Sequence, residues 1–324
     1  GAFDRGTLFE FNVTTDALTT LTSFTGGSTG GAYPTTGVVG DGGTTLFGTT
    51  FGTSQQAATI FEFDTATGEL QTLAVLPTGQ RIDTSVARDP VTGNVAMVGG
   101  NIFASTVNGG VNKRGSLISI QLGTSSLVPN TIASFDTNGS APIGDLLLMN
   151  TANGTQSLVG EASGGGVNGA GVVYEATLSG NITETANITL IGAFATRNRG
   201  GARPDGPLVI VDGFNAPTNV LANSTLYGVT ATGGGGGGGS VYMISNPASQ
   251  TTRAAATAAI TYLTAGSFTK ATGEHPSGGL LLLSNGTLVG TTANRGPFNS
   301  GSLFFLPAEA PSPQTNRLVF TTLP

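Results

Sequence analysis

The sequence predicts an all-β protein, a β-propeller of four-stranded blades. Three observations carry the prediction: a composition of turn formers, apolar residues in short runs, and a set of motifs that recurs in fixed order. Only 9% of the 324 residues are charged, while 52 are Gly and much of the rest is Ser, Thr and Asn. Turn formers at that density punctuate short strands and leave little room for long helices. Apolar residues make up 38% of the chain and come in runs such as Leu146–Met149 and Leu280–Leu283, sized for buried strands. All-β rings of this length are commonly one domain, so residues 1–324 read as a single propeller.

The repeat is visible on the chain. One motif, a small pair followed by alternating apolar residues, occurs as Gly6-Thr7-Leu8-Phe9-Glu10-Phe11, Ala58-Thr59-Ile60-Phe61-Glu62-Phe63 and Gly115-Ser116-Leu117-Ile118-Ser119-Ile120. It returns at Gly171-Val172-Val173-Tyr174, Gly239-Ser240-Val241-Tyr242 and Gly301-Ser302-Leu303-Phe304, at intervals of roughly 50 to 70 residues. Upstream of most copies stands a second motif, Leu46-Phe47-Gly48-Thr49-Thr50, echoed at Leu158-Val159-Gly160, Leu226 to Thr230 and Leu288-Val289-Gly290-Thr291-Thr292; Ala96-Met97-Val98-Gly99 is its weakest copy. A third, Pro and Gly before an apolar run, precedes that one at Pro34 to Val39, Pro142 to Met149, Pro204 to Val211 and Pro276 to Leu283. Its glycines suit the innermost strand, where backbones approach near an axis. A fourth follows the first, as Leu21 to Phe24, Ile132 to Phe135, Leu190 to Phe194 and Leu263 to Phe268.

Each unit thus supplies four strands. Residues 1–24 carry only the last two of a unit, a half-blade, and five complete units follow, which gives about six blades. The motifs, above all the pairing of Leu226-Tyr227-Gly228-Val229-Thr230 with Gly239-Ser240-Val241-Tyr242, resemble the GloVer tandem repeats of bacterial surface and secreted proteins. The resemblance runs from about Gly6 to Phe304 and departs around Arg81 to Gly100. It implies an exported, propeller-like repeat protein and brings no catalytic residues with it.

Charge and residue inventory exclude several functions. The net charge is -6 and the basic residues are scattered, which argues against nucleic acid. No stretch approaches the roughly 20 apolar residues of a membrane span, and no leader precedes Gly1, so the chain reads as secreted with its signal peptide removed. With no Cys there is neither a disulfide framework nor a thiolate metal site. His275 is the single histidine and stands before Pro276, where other units have Tyr33, Ala141 and Arg203, so it reads as a loop residue. Gly26 to Gly30 spells a nucleophile elbow and Gly164 to Gly169 a dinucleotide fingerprint, but strands rather than helices follow. No cofactor, metal or catalytic group is assigned. The nearest carboxylate pairs for glycoside hydrolysis are Glu62 with Asp64 and Asp205 with Asp212. Seven Asn-x-Ser/Thr sequons, at Asn12, Asn138, Asn153, Asn181, Asn187, Asn223 and Asn285, are acceptors for glycosylation in a host that performs it.

The ends of the chain carry the functional expectation. A half-blade at one end and a complete blade at the other leave strands over, and an open edge invites another chain to add on. The assembly strands are expected to be Leu8, Phe9 and Phe11 at one end and Leu318, Val319, Phe320 and Leu323 at the other. The latter follow a Pro-containing segment, 307–317, able to carry them away from their own blade. The resulting expectation is a homopolymer, the subunit of an extracellular fibre or biofilm matrix. The alternatives are a propeller that binds glycans or a surface partner through its loops and, last, a secreted glycoside hydrolase.

Overall fold

The computed structural model describes the chain apart from residues 28–29, 126, 152, 167–168, 179–185, 195–199, 213–219, 248–258, 308–318 and 321–324. Its strands form six antiparallel sheets in chain order. The first is a pair, β1 (Thr7–Asn12) and β2 (Ala17–Ser23). The second holds β3 (Val39–Gly40), β4 (Thr45–Thr49), β5 (Thr59–Asp64) and β6 (Glu69–Val75), and the third β7 (Asn101–Thr106), β8 (Ser116–Gln121) and β9 (Asn130–Ser134). The fourth is β10 (Ser140–Asn150), β11 (Gln156–Gly164), β12 (Val172–Thr177) and β13 (Asn187–Ala193). In the fifth the inner strand is broken into β14 (Gly201–Pro204) and β15 (Val209–Asp212), followed by β16 (Ser224–Gly233), β17 (Ser240–Ser245) and β18 (Thr261–Ser267). The sixth is β19 (Glu274–Leu282), β20 (Thr287–Asn294), β21 (Ser302–Pro307) and β22 (Val319–Phe320).

Within a sheet the strands follow one another as hairpins, the Pro-containing motif innermost and the Leu-to-Phe motif outermost. The core lies between sheets rather than within one. Five apolar clusters fill the five spaces between successive sheets, from Leu8 and Phe24 against Phe61 and Phe63 to Leu263 and Phe268 against Leu288 and Phe304. Each strand therefore buries alternate residues against the blade before it and the blade after it.

Four of the five junctions are built the same way. The third-strand aromatic of one blade meets the closing Phe of the blade before it, edge to face or tilted: Phe24–Phe61 at 5.1 Å, Phe135–Tyr174 and Phe194–Tyr242 at 4.9 Å, Phe268–Phe304 at 4.8 Å between centroids. The ring folds over the glycine of the neighbouring second strand. A Cβ on Gly48, Gly160, Gly228 or Gly290 would lie 2.4–2.6 Å from a ring or hydroxyl atom, which is why that motif keeps its glycine. The residues before proline, Tyr33, Ala141, Arg203 and His275, share a left-handed φ of 53–58°. Their N–H groups donate at 2.7–2.8 Å to Arg5, Arg114, Ala170 and Gly238 of the preceding blade. His275 thus takes its place from the repeat. At the axis the inner strands touch through backbone, as the glycines of the third motif predict: a Cβ on Gly144 would lie 2.3 Å from Gly206 O, and one on Gly206 2.4 Å from Gly279 N.

One expectation is corrected. The second strand of the third sheet is β7, not Ala96–Gly99; Ala104 pairs with Ile118 where Gly48 pairs with Phe61. Ile118 has no ring to fold over its partner and Leu76 stands where other junctions have Phe, so the position needs no glycine and the motif hides. Within the chain, Val319 and Phe320 of the C-terminal strand pair with Phe305 and Phe304 of β21.

Candidate functional site at the two end faces

The repeat makes the burial of equivalent positions directly comparable, and the two end sheets depart from all the others. Phe9 occupies the position of Phe61, Ile118, Tyr174, Tyr242 and Phe304, which are at most 2% exposed; Phe9 is 60% exposed. Phe11 matches Phe63, Ile120, Ala176, Ile244 and Leu306, all buried, and is 51% exposed, with exposed Leu18 opposite it on β2. These side chains form the face that every later blade turns to its predecessor. The last blade shows the converse. Leu281, equivalent to buried Val39 and Leu147, is 61% exposed, and Val289 and Leu303 are half-buried where their counterparts are covered.

Among the described residues no apolar cluster, hydrogen bond, ion pair or ring contact joins the first sheet to the last. Among these residues the sixth junction is unmade. Among the described residues β1 pairs with β2 alone, and its inner edge, where each later third strand has a second strand, has no partner strand there.

Of the expected assembly residues, Leu8 is buried against the second sheet while Phe9 and Phe11 point away from it. Val319 and Phe320 form β22; Leu318 and Leu323 lie outside the described residues. Six sequon asparagines, Asn12, Asn138, Asn153, Asn187, Asn223 and Asn285, are exposed, and Asn181 lies outside the described residues.

The carboxylate pairs are not brought into one pocket of the ring. Glu62 and Asp64 share the half-exposed side of β5, opposite Gln71 and Glu69 of β6. Partial burial and the charges of Glu69 and Asp64 raise the Glu62 pKa. Asp205 follows β14 and Asp212 ends β15, beside Ser224. Burial raises the Asp205 carboxyl against the opposing pull of Arg203. His275 Nδ1 is 3.1 Å from Asn294 Nδ2.

One acid escaped attention in the sequence. Glu161 on β11 is 1% exposed at the junction of the fourth and fifth sheets, where its carboxyl accepts from the Tyr242 hydroxyl. Its second oxygen and the buried Tyr174 hydroxyl have no hydrogen-bond partner among the described residues. Burial pushes the Glu161 carboxyl well above the usual range. The clue was present in the repeat: Glu161 stands where other units place Thr49, Ser105, Val229 and Thr291.

No family model matches the sequence, and no curated protein does. The fold is similar to that of a Bacteroides uniformis protein assigned provisionally as a 6-phosphogluconolactonase, with 15% identity and TM-score 0.51 over 96% of this chain and 76% of that one. A periplasmic gluconolactonase of Pseudomonas aeruginosa aligns at 13% identity and TM-score 0.48 over 89% of this chain and 68% of that one. An endo-arabinanase of Bacillus licheniformis aligns at 15% and 0.40 over 85% and 96%. At these identities the likeness speaks to architecture alone. The sheets, their hairpin order and the first of these matches together make the chain a β-propeller protein.

Proposed function

We propose that the chain is a structural subunit of an extracellular fibre or biofilm matrix, whose copies join head to tail through their terminal strands. The observation that carries the reading is the exposure of Phe9 and Phe11 at positions buried in every later blade. A face of that kind and the opposite face of the last blade are the two halves of a junction that the chain makes five times internally. Repeated between copies, the contact is heterologous, and where its rotation does not close it generates a filament. Export belongs to the same proposal and rests on the low charge, the Thr- and Gly-rich composition and the GloVer-like motifs. The proposal assigns no catalytic step, because the enzymatic names among the structural neighbours come with the fold alone.

A second reading, a propeller that binds a glycan or surface partner, is favoured by the rim. Tyr33, Arg203 and His275 project from equivalent backbone positions around one side and are exposed. Sedimentation and negative-stain microscopy of the whole chain, beside versions lacking Leu318–Pro324 or Gly1–Phe24, separate the two. Fibres from the whole chain and folded monomers from either truncation are expected. Monomers from all three at high concentration would leave the binding propeller in its place.

A further inference from the structure

Every third strand from β5 onward has a second strand on its inner side. Beside β5 that strand reads Leu46-Phe47-Gly48-Thr49-Thr50, and beside β21 it reads Leu288-Val289-Gly290-Thr291-Thr292. β1 is a third strand by its own sequence, Thr7-Leu8-Phe9-Glu10-Phe11, and lacks this neighbour. The same pattern occurs once more in the chain, at Leu318-Val319-Phe320-Thr321-Thr322, with Phe in place of Gly. We propose that this C-terminal strand fills the second-strand place beside β1 of a second copy of the chain.

The internal blades dictate the register. Leu46 pairs with Phe63, Phe47 with Glu62, Gly48 with Phe61 and Thr49 with Ile60. Transferred to β1, this sets Leu318 against Phe11, Val319 against Glu10, Phe320 against Phe9 and Thr321 against Leu8. Thr322 then comes beside Thr7. That last pair repeats a hydroxyl contact found in four blades: Thr50–Thr59 and Thr106–Ser116 at 2.8 Å, Thr230–Ser240 at 3.0 Å and Thr292–Ser302 at 2.9 Å.

The one departure from the pattern suits this slot. Glycine is required where a preceding blade holds the third-strand ring down over the second strand, as Phe24 does to Phe61. No blade precedes β1 among the described residues, and Phe9 is exposed. A phenylalanine opposite it makes a cross-strand aromatic pair and supplies the ring neighbour that every other third-strand aromatic has from a closing Phe.

The second copy is the occupant because, among the described residues, the chain's own two end faces do not meet: Phe9 and Phe11 at one end and Leu281 at the other are exposed. Ten residues, 308–317, precede the motif, a tether of at most about 36 Å when extended. Each copy donates one strand and accepts one.

This inference rests on the fibre reading and is tested apart from it. The chain has no cysteine, so an introduced pair reports one contact. Facing residues of antiparallel strands lie about 4.5–5.5 Å apart at Cα, within disulfide range. Chains carrying Thr7→Cys and Thr322→Cys, mixed and oxidised, are expected to give covalent dimers containing one of each. The out-of-register pair Glu10→Cys with Thr322→Cys is expected to give at least tenfold fewer. Fibres without the Thr7–Thr322 cross-link would overturn the slot and leave the fibre reading standing. A cross-linked monomer as the main product of the doubly substituted chain, at any concentration, would overturn the second copy in favour of closure within one chain. Neither fibres nor cross-link would remove both. Phe320→Asp is expected to raise the concentration needed for assembly at least tenfold, and Phe320→Tyr to leave it unchanged.

Discussion

The two sides of the small β1–β2 sheet are alternate residues of the same strands, yet one is core and the other is surface. Leu8 and Phe24 close against Phe61 and Phe63, while Phe9 and Phe11 stand in solvent. The residue types are alike on both sides. What differs is the presence of a neighbouring blade, so in this molecule burial belongs to junctions rather than to strands.

Truncation exposes that difference most sharply. Phe61→Ala is expected to cost about 3–5 kcal/mol, the loss of a buried aromatic and the cavity it leaves. Phe9→Ala in dilute chain is expected to stay within about 0.5 kcal/mol, as at an ordinary surface site. Urea denaturation midpoints of the two variants measure both, and a large loss at Phe9 would mean that its face is covered within the single chain.

The junction between the fourth and fifth sheets sharpens the comparison from another side, since it buries the Glu161 carboxyl against the Tyr242 hydroxyl. The folded pKa of Glu161 lies above its unfolded value, near 4.3 for an ordinary glutamate. Between those values the folded chain holds a proton that the unfolded chain lacks. The site's contribution to stability is therefore whole below the unfolded pKa and falls as pH rises toward the folded one, by up to about 1.4 kcal/mol per unit. Glu161→Gln has no proton to lose. Its stability relative to the parent chain is expected to improve as pH rises above the unfolded value, read from denaturation at several pH values, and parallel curves would count against a raised Glu161 pKa.

The smallest effect concerns the hydroxyl pairs. Thr292→Val removes the contact with Ser302 and is expected to cost about 1 kcal/mol. Thr7→Val, at the same repeat position as Ser302 but with no second strand beside it, is expected to cost nothing measurable in dilute chain. Equal losses in the two variants, again by denaturation midpoint, would show that Thr7 already has a partner within one copy.

Much of the fold was legible because each motif records a contact. Gly48, Gly160, Gly228 and Gly290 mark rings, Pro34, Pro142, Pro204 and Pro276 mark the inner strands, and the closing Phe marks the junction. The third sheet was misread where three such contacts change together: Ala104, Ile118 and Leu76 replace glycine and two aromatic residues, and Ala96–Gly99 carries the glycine that the true second strand lacks. Exposure at the ends was not legible from Phe9 or Phe11 themselves, whose sequence is that of a core strand. It emerged only when the neighbour's place was seen to be empty. Glu161 was missed for a related reason, since an acid in a Thr- and Ser-rich repeat position looks solvated until the next blade is laid over it.

The glycines at the axis have a geometric consequence. Successive blades are splayed by an angle fixed where their inner strands touch, and at Gly144, Gly206 and Gly279 that contact is backbone on backbone, with no side chain between. The splay of the fourth, fifth and sixth blades is thus set by three residues that contribute only hydrogen atoms to the hub. A single methyl group there, as in Gly206→Ala, would act as a wedge and change the direction in which each end presents its open face.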